Sequence, residues 1–397
     1  MSLTRPHTLS DQTSNAVSWP DPKRYLWLLG LVVPAVVLIS WAGACATGWG
    51  IFWWLGPILT LIIVPILDYV VGPDADNPPD SALAFLESDS FYRWATYLYL
   101  PIQYSSVVLA CWLWSRQGGS HMQPIDRLGL MFSLGGIGGI AINAAHELGH
   151  QRAKLERRLS KVALAQSFYG HFFVAHNRGH HILVATPEDA ASSRLGESLW
   201  EFIPRSVVGG ARCAWRIERE RLARAGRSPW SFENDVLNSW LMTLVLYSGL
   251  VAVFGREVLP WLIGQAIVGI CMLEMINYVE HYGLRRQRRP DGRYERVRPA
   301  HSWNNNTIVS NLFLFHLQRH SDHHAHPQRR YQALLHDDEA PQLPAGYATM
   351  LLVAAIPPLW RRVMDRRVLA HYDGDIRRAA LQPRHEKRLL ARYPSAT

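Results

Sequence analysis

The sequence predicts an all-α, polytopic membrane protein, with six transmembrane helices and a histidine-rich helical region on one membrane face. Three observations predict it. Apolar residues collect in runs of about twenty, the length that crosses a bilayer as a helix. Lys and Arg collect in two long polar segments that flank those runs. Nine of the 18 histidines fall in four short clusters, three of them at helical spacing.

Residues 1–24 are polar, hold Pro6, Pro20 and Pro22, and read as a tail without a cleavable signal. Span one is predicted at 25–46 and, after a turn at Gly48 and Gly50, span two at 51–71. The stretch G-P-D-A-D-N-P-P-D then marks a loop and a helix start. Span three follows at 92–114, and span four at 128–145 runs straight into His146. Span five is predicted at 237–254 and span six at 258–278, ending at Glu280 and His281. The apolar run 347–359 is too short to cross and reads as a peripheral or re-entrant helix. The expected units are therefore a tail (1–24), spans one to four (25–145), a polar segment (146–238), spans five and six (239–280), a second polar segment (281–370) and a C-terminal tail (371–397).

Segments 151–230 and 281–397 carry 34 of the 41 Lys and Arg. With six spans, both segments and both termini share one side, and the positive-inside bias makes that side cytoplasmic. The net charge of +9 is then a membrane signature, and nucleic acid is not an expected partner. Cys45, Cys111, Cys213 and Cys271 form no C-x-x-C pair, so neither a disulfide framework nor a thiolate metal site is expected.

The first cluster, H-E-L-G-H, puts His146 and His150 on one helix face. The second, H-N-R-G-H-H, repeats that spacing at His176 and His180, with His181 beside them. The third, N-Y-V-E-H-Y-G, supplies His281. The fourth, L-Q-R-H-S-D-H-H, sets His320, His323 and His324 at i, i+3 and i+4, again one face. Neutral imidazole suits iron, zinc, copper or nickel, and neither magnesium nor calcium. Nine imidazoles exceed one ion's coordination and fit two ions with open positions, which means catalysis.

Because His146 and His281 end spans four and six, those spans are expected to be neighbours. Gly135 and Gly139 in span four would let another helix approach closely or line a substrate channel. Glu280, Asp189 and Asp322 are candidates to orient the ligands from behind, and Glu274 and Asn277 lie near the same site. Asp68 is expected at the membrane interface. Trp53, Pro57, Thr60 and Val64 recur at helical spacing on span two. They face either lipid or an apolar tunnel, in which Trp53 and Thr60 would contact substrate.

The four histidine motifs, with T-P-E-D-A-A-S-S-R-L-G-E-S and H-S-W-N-N-N, resemble the integral-membrane alkane 1-monooxygenases over roughly residues 20–370. The resemblance implies a non-haem enzyme of the cell inner membrane holding two Fe ions on the cytoplasmic side. It implies insertion of one oxygen atom of O2 into a terminal methyl of an alkane, with electrons from NADH through rubredoxin reductase and rubredoxin. It implies His146, His150, His176, His180, His181, His281, His320, His323 and His324 as the ligands. The family usually has Glu before the second motif and Lys after the first. Here Ala175 and Gln151 stand there.

Related readings share parts of this pattern. A diiron hydroxylase or desaturase of fatty acyl or alkyl-aromatic substrates uses similar histidine motifs. A membrane zinc peptidase needs H-E-x-x-H, which 146–150 satisfies, but leaves six histidines unexplained. A non-catalytic metal carrier would consume no O2.

Overall fold

The computed structural model describes residues 19–116, 118 and 122–394. Most of the tail expected at 1–24, and the last three residues of that at 371–397, lie outside them. Among the described residues the chain is helical, with isolated backbone bridges and no strand.

Among the described residues five helices are long and apolar enough to cross a membrane: α1 (Leu26–Thr47), α2 (Gly50–Val71), α5 (Pro124–Gly149), α9 (Asp235–Phe254) and α10 (Arg256–His281). Between them lie α3 (Asp80–Ser88) and α4 (Ser90–Trp114). The chain is a multi-pass membrane protein. At 25 residues α4 has crossing length, but it carries Arg93, Gln103 and four tyrosines and falls short of the apolarity of the other five. The helix expected at 92–114 is therefore present, while its role as a sixth span rests on length alone.

Local chemistry sets the boundaries. Gly48, at φ 72°, ends α1 in the left-handed conformation that favours glycine. Within α2, residues Leu59–Ile63 widen into a π-turn just before Pro65, whose missing N–H and ring disturb the regular ladder. Pro124 opens α5 behind a reciprocal cap between Gln123 and Asp126. Asp68 accepts the Ser310 amide (2.9 Å) and hydroxyl (2.6 Å), capping α11 (Ile308–Phe313). It is buried near the end of span two and ties that span to the distal segment.

Helix α5 is the central post. Of its apolar stretch 83% is buried, against 17% in α2 and 22% in α9, so the latter two face lipid. The expected neighbour, α10, packs along it. A Cβ on Gly135 would lie 2.5 Å from the Val268 Cβ, and one on Gly139 2.7 Å from the Met272 Cβ. The pair serves helix packing rather than a channel wall. Because both helices end in histidines, this contact brings two of the four motifs together.

The other two motifs come from polar segments. After α6 (Lys154–Ala165) the chain enters a short helix, α7 (172–183), bearing the second motif. It then forms α8 (Leu199–Arg224), capped by Ser198 and Glu201. Downstream lie α12 (His320–Ala325), α13 (Tyr347–Ala354), α14 (Pro357–His371) and α15 (Glu386–Arg392). The apolar run expected to be peripheral is α13, which buries Tyr347, Met350 and Leu351. Leu389 of α15 is also buried, and His385 Nδ1 meets the Gly196 carbonyl at 3.0 Å.

Candidate metal centre

All nine motif histidines converge, in two groups. His146, His150, His176, His181 and His323 have ligand atoms within 4.8 Å of one another, and so do His180, His281, His320 and His324. The grouping departs from the faces read off the spacing. His176 and His180 were expected side by side, yet residues Ala175–His180 form a π-turn. That register pairs i with i+5, so His176 Nε2 meets His181 Nε2 at 3.0 Å while His180 points to the other group. In α12, His320 and His324 join one group and His323 the other. That helix straddles two sites instead of presenting one face.

The ring nitrogens show what the groups fit. His181 Nε2 lies 3.0 Å from His176 Nε2 and 3.2 Å from His323 Nε2. His320 Nε2 lies 3.3 Å from His281 Nε2 and 2.9 Å from His324 Nε2. Each Nε2 has a single hydrogen or a single lone pair, so His181 Nε2 and His320 Nε2, each facing two other Nε2 atoms, cannot serve both neighbours well. The Nε2 atoms of His146, His150 and His180 are buried with no hydrogen-bond partner. Nitrogens about 2.1 Å from a shared ion stand about 3 Å apart when adjacent, the separation seen here. Burial holds His150, His176, His181, His320, His323 and His324 well below the usual histidine range, and neighbouring imidazoles push the same way. These rings are neutral at pH 7, with lone pairs free for a metal. The residues fit a pair of borderline transition-metal ions.

The three candidate acids fall in different places. Asp189 accepts His180 Nδ1 at 2.8 Å and the Ser192 hydroxyl at 2.7 Å, fixing the ring so that Nε2 faces the centre. Burial opposes its ionisation, but His180 and Ser192 outweigh this and hold the carboxyl below its ordinary value. Glu280 is nearer the ligand atoms, with Oε2 3.3 Å from His320 Nε2, and its carboxylate also meets the Tyr347 hydroxyl. Asp322 touches none of the nine imidazoles. It accepts Arg329 at 2.7 Å, His326 at 2.9 Å and the Leu335 amide at 3.0 Å, holding the loop after α12. Glu147, the base a peptidase would need, faces Gln151 at 3.2 Å and not the imidazoles.

Two cavities flank the centre on opposite faces of α10. One is apolar, with about 510 Å³ of empty space, and its walls include Val33, Thr60, Val64, Met272, Ile276 and Leu351. Thr60 is thus where a tunnel residue was expected, its hydroxyl bonded to the Gly56 carbonyl at 2.9 Å. Trp53 is not in this wall. It is buried among Val36, Val107, Leu130 and Leu134. The other cavity has a largely apolar wall into which polar groups are set, and it touches Glu274, Asn277, His171, His176 and His180. Ala175 lines it, outside both imidazole groups. Tyr169 and His171 were not anticipated, because neither belongs to a motif or a spacing pattern.

Residues 127–354 match the fatty acid desaturase family. The chain is 47% identical to an alkane 1-monooxygenase of Acinetobacter baylyi, over 94% of this chain and 91% of that one. It is 45% identical to alkane 1-monooxygenase 1 of Alcanivorax borkumensis (91% and 89% covered) and 44% identical to an alkane 1-monooxygenase of Pseudomonas putida (94% and 92%). Full-length relatives of that name, together with a desaturase-type core whose motifs build one buried nitrogen-rich centre, place the chain in the alkane 1-monooxygenase family.

Proposed function

We propose that this protein hydroxylates the terminal methyl of alkanes, using two Fe ions held by the nine histidines. The carrying observation is a buried centre of five and four imidazoles, one of them at the end of α10, the helix whose Met272 and Ile276 wall an apolar cavity. The overall change is alkane, O2, two electrons and two protons to 1-alkanol and water. Bound iron supplies the activation of O2.

The chain's own residues supply the rest. An alkane has no polar handle, so burial against Val64, Met272, Ile276 and Leu351 must hold it, at about 0.8 kcal/mol per CH2. Thr60 is proposed as a substrate contact. Trp53, on the same helix but outside this cavity, is given no substrate contact. No Lys or Arg lines this cavity, so a fatty-acid carboxylate has no partner there. Asp189 orients His180, and Glu280 is positioned to steady the four-imidazole group; Asp322 shapes the following loop.

The site is proposed to face the cytoplasm from the inner membrane, with reduced rubredoxin as donor, fed by its reductase and NADH. Arg93, Arg152, Arg329 and Arg330 line a surface recess beside the centre, and their charge would draw a small acidic protein. The test is metal analysis plus incubation of the purified protein with octane, O2, NADH, rubredoxin and reductase. Two irons per chain and 1-octanol are expected. One zinc and no O2 uptake would overturn the proposal.

A further inference from the structure

The hydroxylation proposed above consumes two protons at the buried centre, and the apolar cavity is a poor route for them. An alkane that fills it displaces water, and its walls offer only the hydroxyls of Thr60, Ser310 and Tyr347. The cavity on the other face of α10 sets more polar groups into a wall that is still largely apolar. Its floor is Glu274, which accepts the Tyr169 hydroxyl at 2.6 Å and the Asn277 amide at 3.4 Å on Oε1. The Ser206 hydroxyl, in the same wall, also reaches the Glu274 carboxylate, while both ring nitrogens of His171 are buried with no protein partner. Only 1% of Glu274 and 6% of His171 is exposed. Two unpartnered ring nitrogens beside a buried carboxylate ask for water. Space for the centres of water molecules there is about 30 Å³, room for about two waters at ~10–15 Å³ each.

The cavity also connects the right places. Its inner wall includes His176 of one imidazole group and His180 of the other, with Asp189 behind His180. Its rim is Ala175, Ala190, Ala191, Gly210 and Cys213, all half-buried, so it leads outward between α7 and α8. The small side chain at Ala175 keeps this passage wide. We propose that this cavity is the water-filled proton inlet of the centre, with Glu274 as its relay group, separate from the alkane's path. Glu274 takes a proton from rim water and passes it to water beside His176 and His180. It is returned to its starting state after each transfer, and the two electrons come from the donor protein. The inference rests on the hydroxylase reading.

The test uses full-length, metal-loaded protein. In Glu274→Gln, metal content and alkane KM should match wild type. Its kcat should fall at least tenfold, with a larger solvent isotope effect and more O2 released as hydrogen peroxide. X-ray hydroxyl-radical footprinting, which marks side chains beside bound water, should label Tyr169 in the wild-type protein despite its burial. Gly210→Leu should plug the cavity and remove that label while slowing turnover. If Glu274→Gln fails to fold, Gly210→Leu and Tyr169→Phe carry the same expectations. Wild-type kcat and coupling in the folded variants, or an unlabelled Tyr169 in wild type, would overturn the inlet. A wild-type protein that makes no alkanol but labels Tyr169 would instead count against the hydroxylase reading alone.

Discussion

Replacing Asp189 by Asn should weaken one metal position and spare the other. The carboxylate accepts His180 Nδ1 at 2.8 Å and the Ser192 hydroxyl at 2.7 Å, and it contacts no ring of the five-imidazole group. Asparagine keeps the shape but removes the charge and presents an NH2 to a ring nitrogen that needs an acceptor. A hydrogen bond to a charged group contributes about 1.5–3 kcal/mol and a neutral one about 0.5–1.5. The loss is thus about 1–2 kcal/mol, or roughly 5–30-fold in affinity at 1.4 kcal/mol per decade. That range overlaps the roughly 10–100-fold cost of removing a group that orients a metal ligand. Anaerobic titration of metal-free protein with Co(II), followed by visible absorption, separates the two positions. The weaker phase should shift in Asp189→Asn and the other should stay. Equal shifts in both phases, or none, would refute the reasoning.

Other expectations follow from the same contacts. Asp322→Asn should leave both titration phases in place but lower the thermal midpoint, since Arg329 loses its charged partner and one acceptor oxygen must then serve Arg329, His326 and the Leu335 amide. Gly139→Leu should force apart α5 and α10, where even a Cβ would sit 2.7 Å from Met272. Overpacking of this kind costs about 1–3 kcal/mol, and metal content and thermal midpoint should fall together. Glu147→Gln should keep octane hydroxylation within a few-fold of wild type; abolition with full metal content would reinstate Glu147 as a base. Ala175→Glu should leave metal stoichiometry unchanged, because position 175 faces the polar cavity and lies outside both imidazole groups. A changed stoichiometry would show that a carboxylate there joins the ligand set.

Residue type and spacing carried the metal centre a long way. Every motif histidine reaches it, and the ends of α5 and α10 meet because Gly135 and Gly139 admit a close neighbour. What the spacing did not carry was the partition. A regular helix pairs i with i+4, and nothing in A-H-N-R-G-H-H announces a π-turn that pairs His176 with His181. The i, i+3, i+4 pattern of α12 likewise looks like one face until a second ion is placed beside it. Asp68 was read by its position at a span end, whereas its partner Ser310 lies 242 residues away, a separation no local pattern reveals. Trp53 shares a helical stripe with Thr60, but it lies in a 3-10 turn (Gly50–Trp54) whose tighter register turns the indole away and into a different cluster.

The two faces of α10 explain how one helix serves incompatible demands. Met272 and Ile276, four apart, present hydrocarbon to the apolar cavity. Glu274 and Asn277, three apart, present polar groups to the other side. An alkane is held only where water is excluded, and protons arrive only where water persists, so the two supplies need separate walls. A single helix ending in His281 supplies both walls and a ligand, which fixes each cavity relative to the centre. The same rigidity makes the close contact at Gly135 and Gly139 a functional constraint as much as a packing one. A shift of α10 by even an ångström would move the apolar wall, the polar wall and a ligand together.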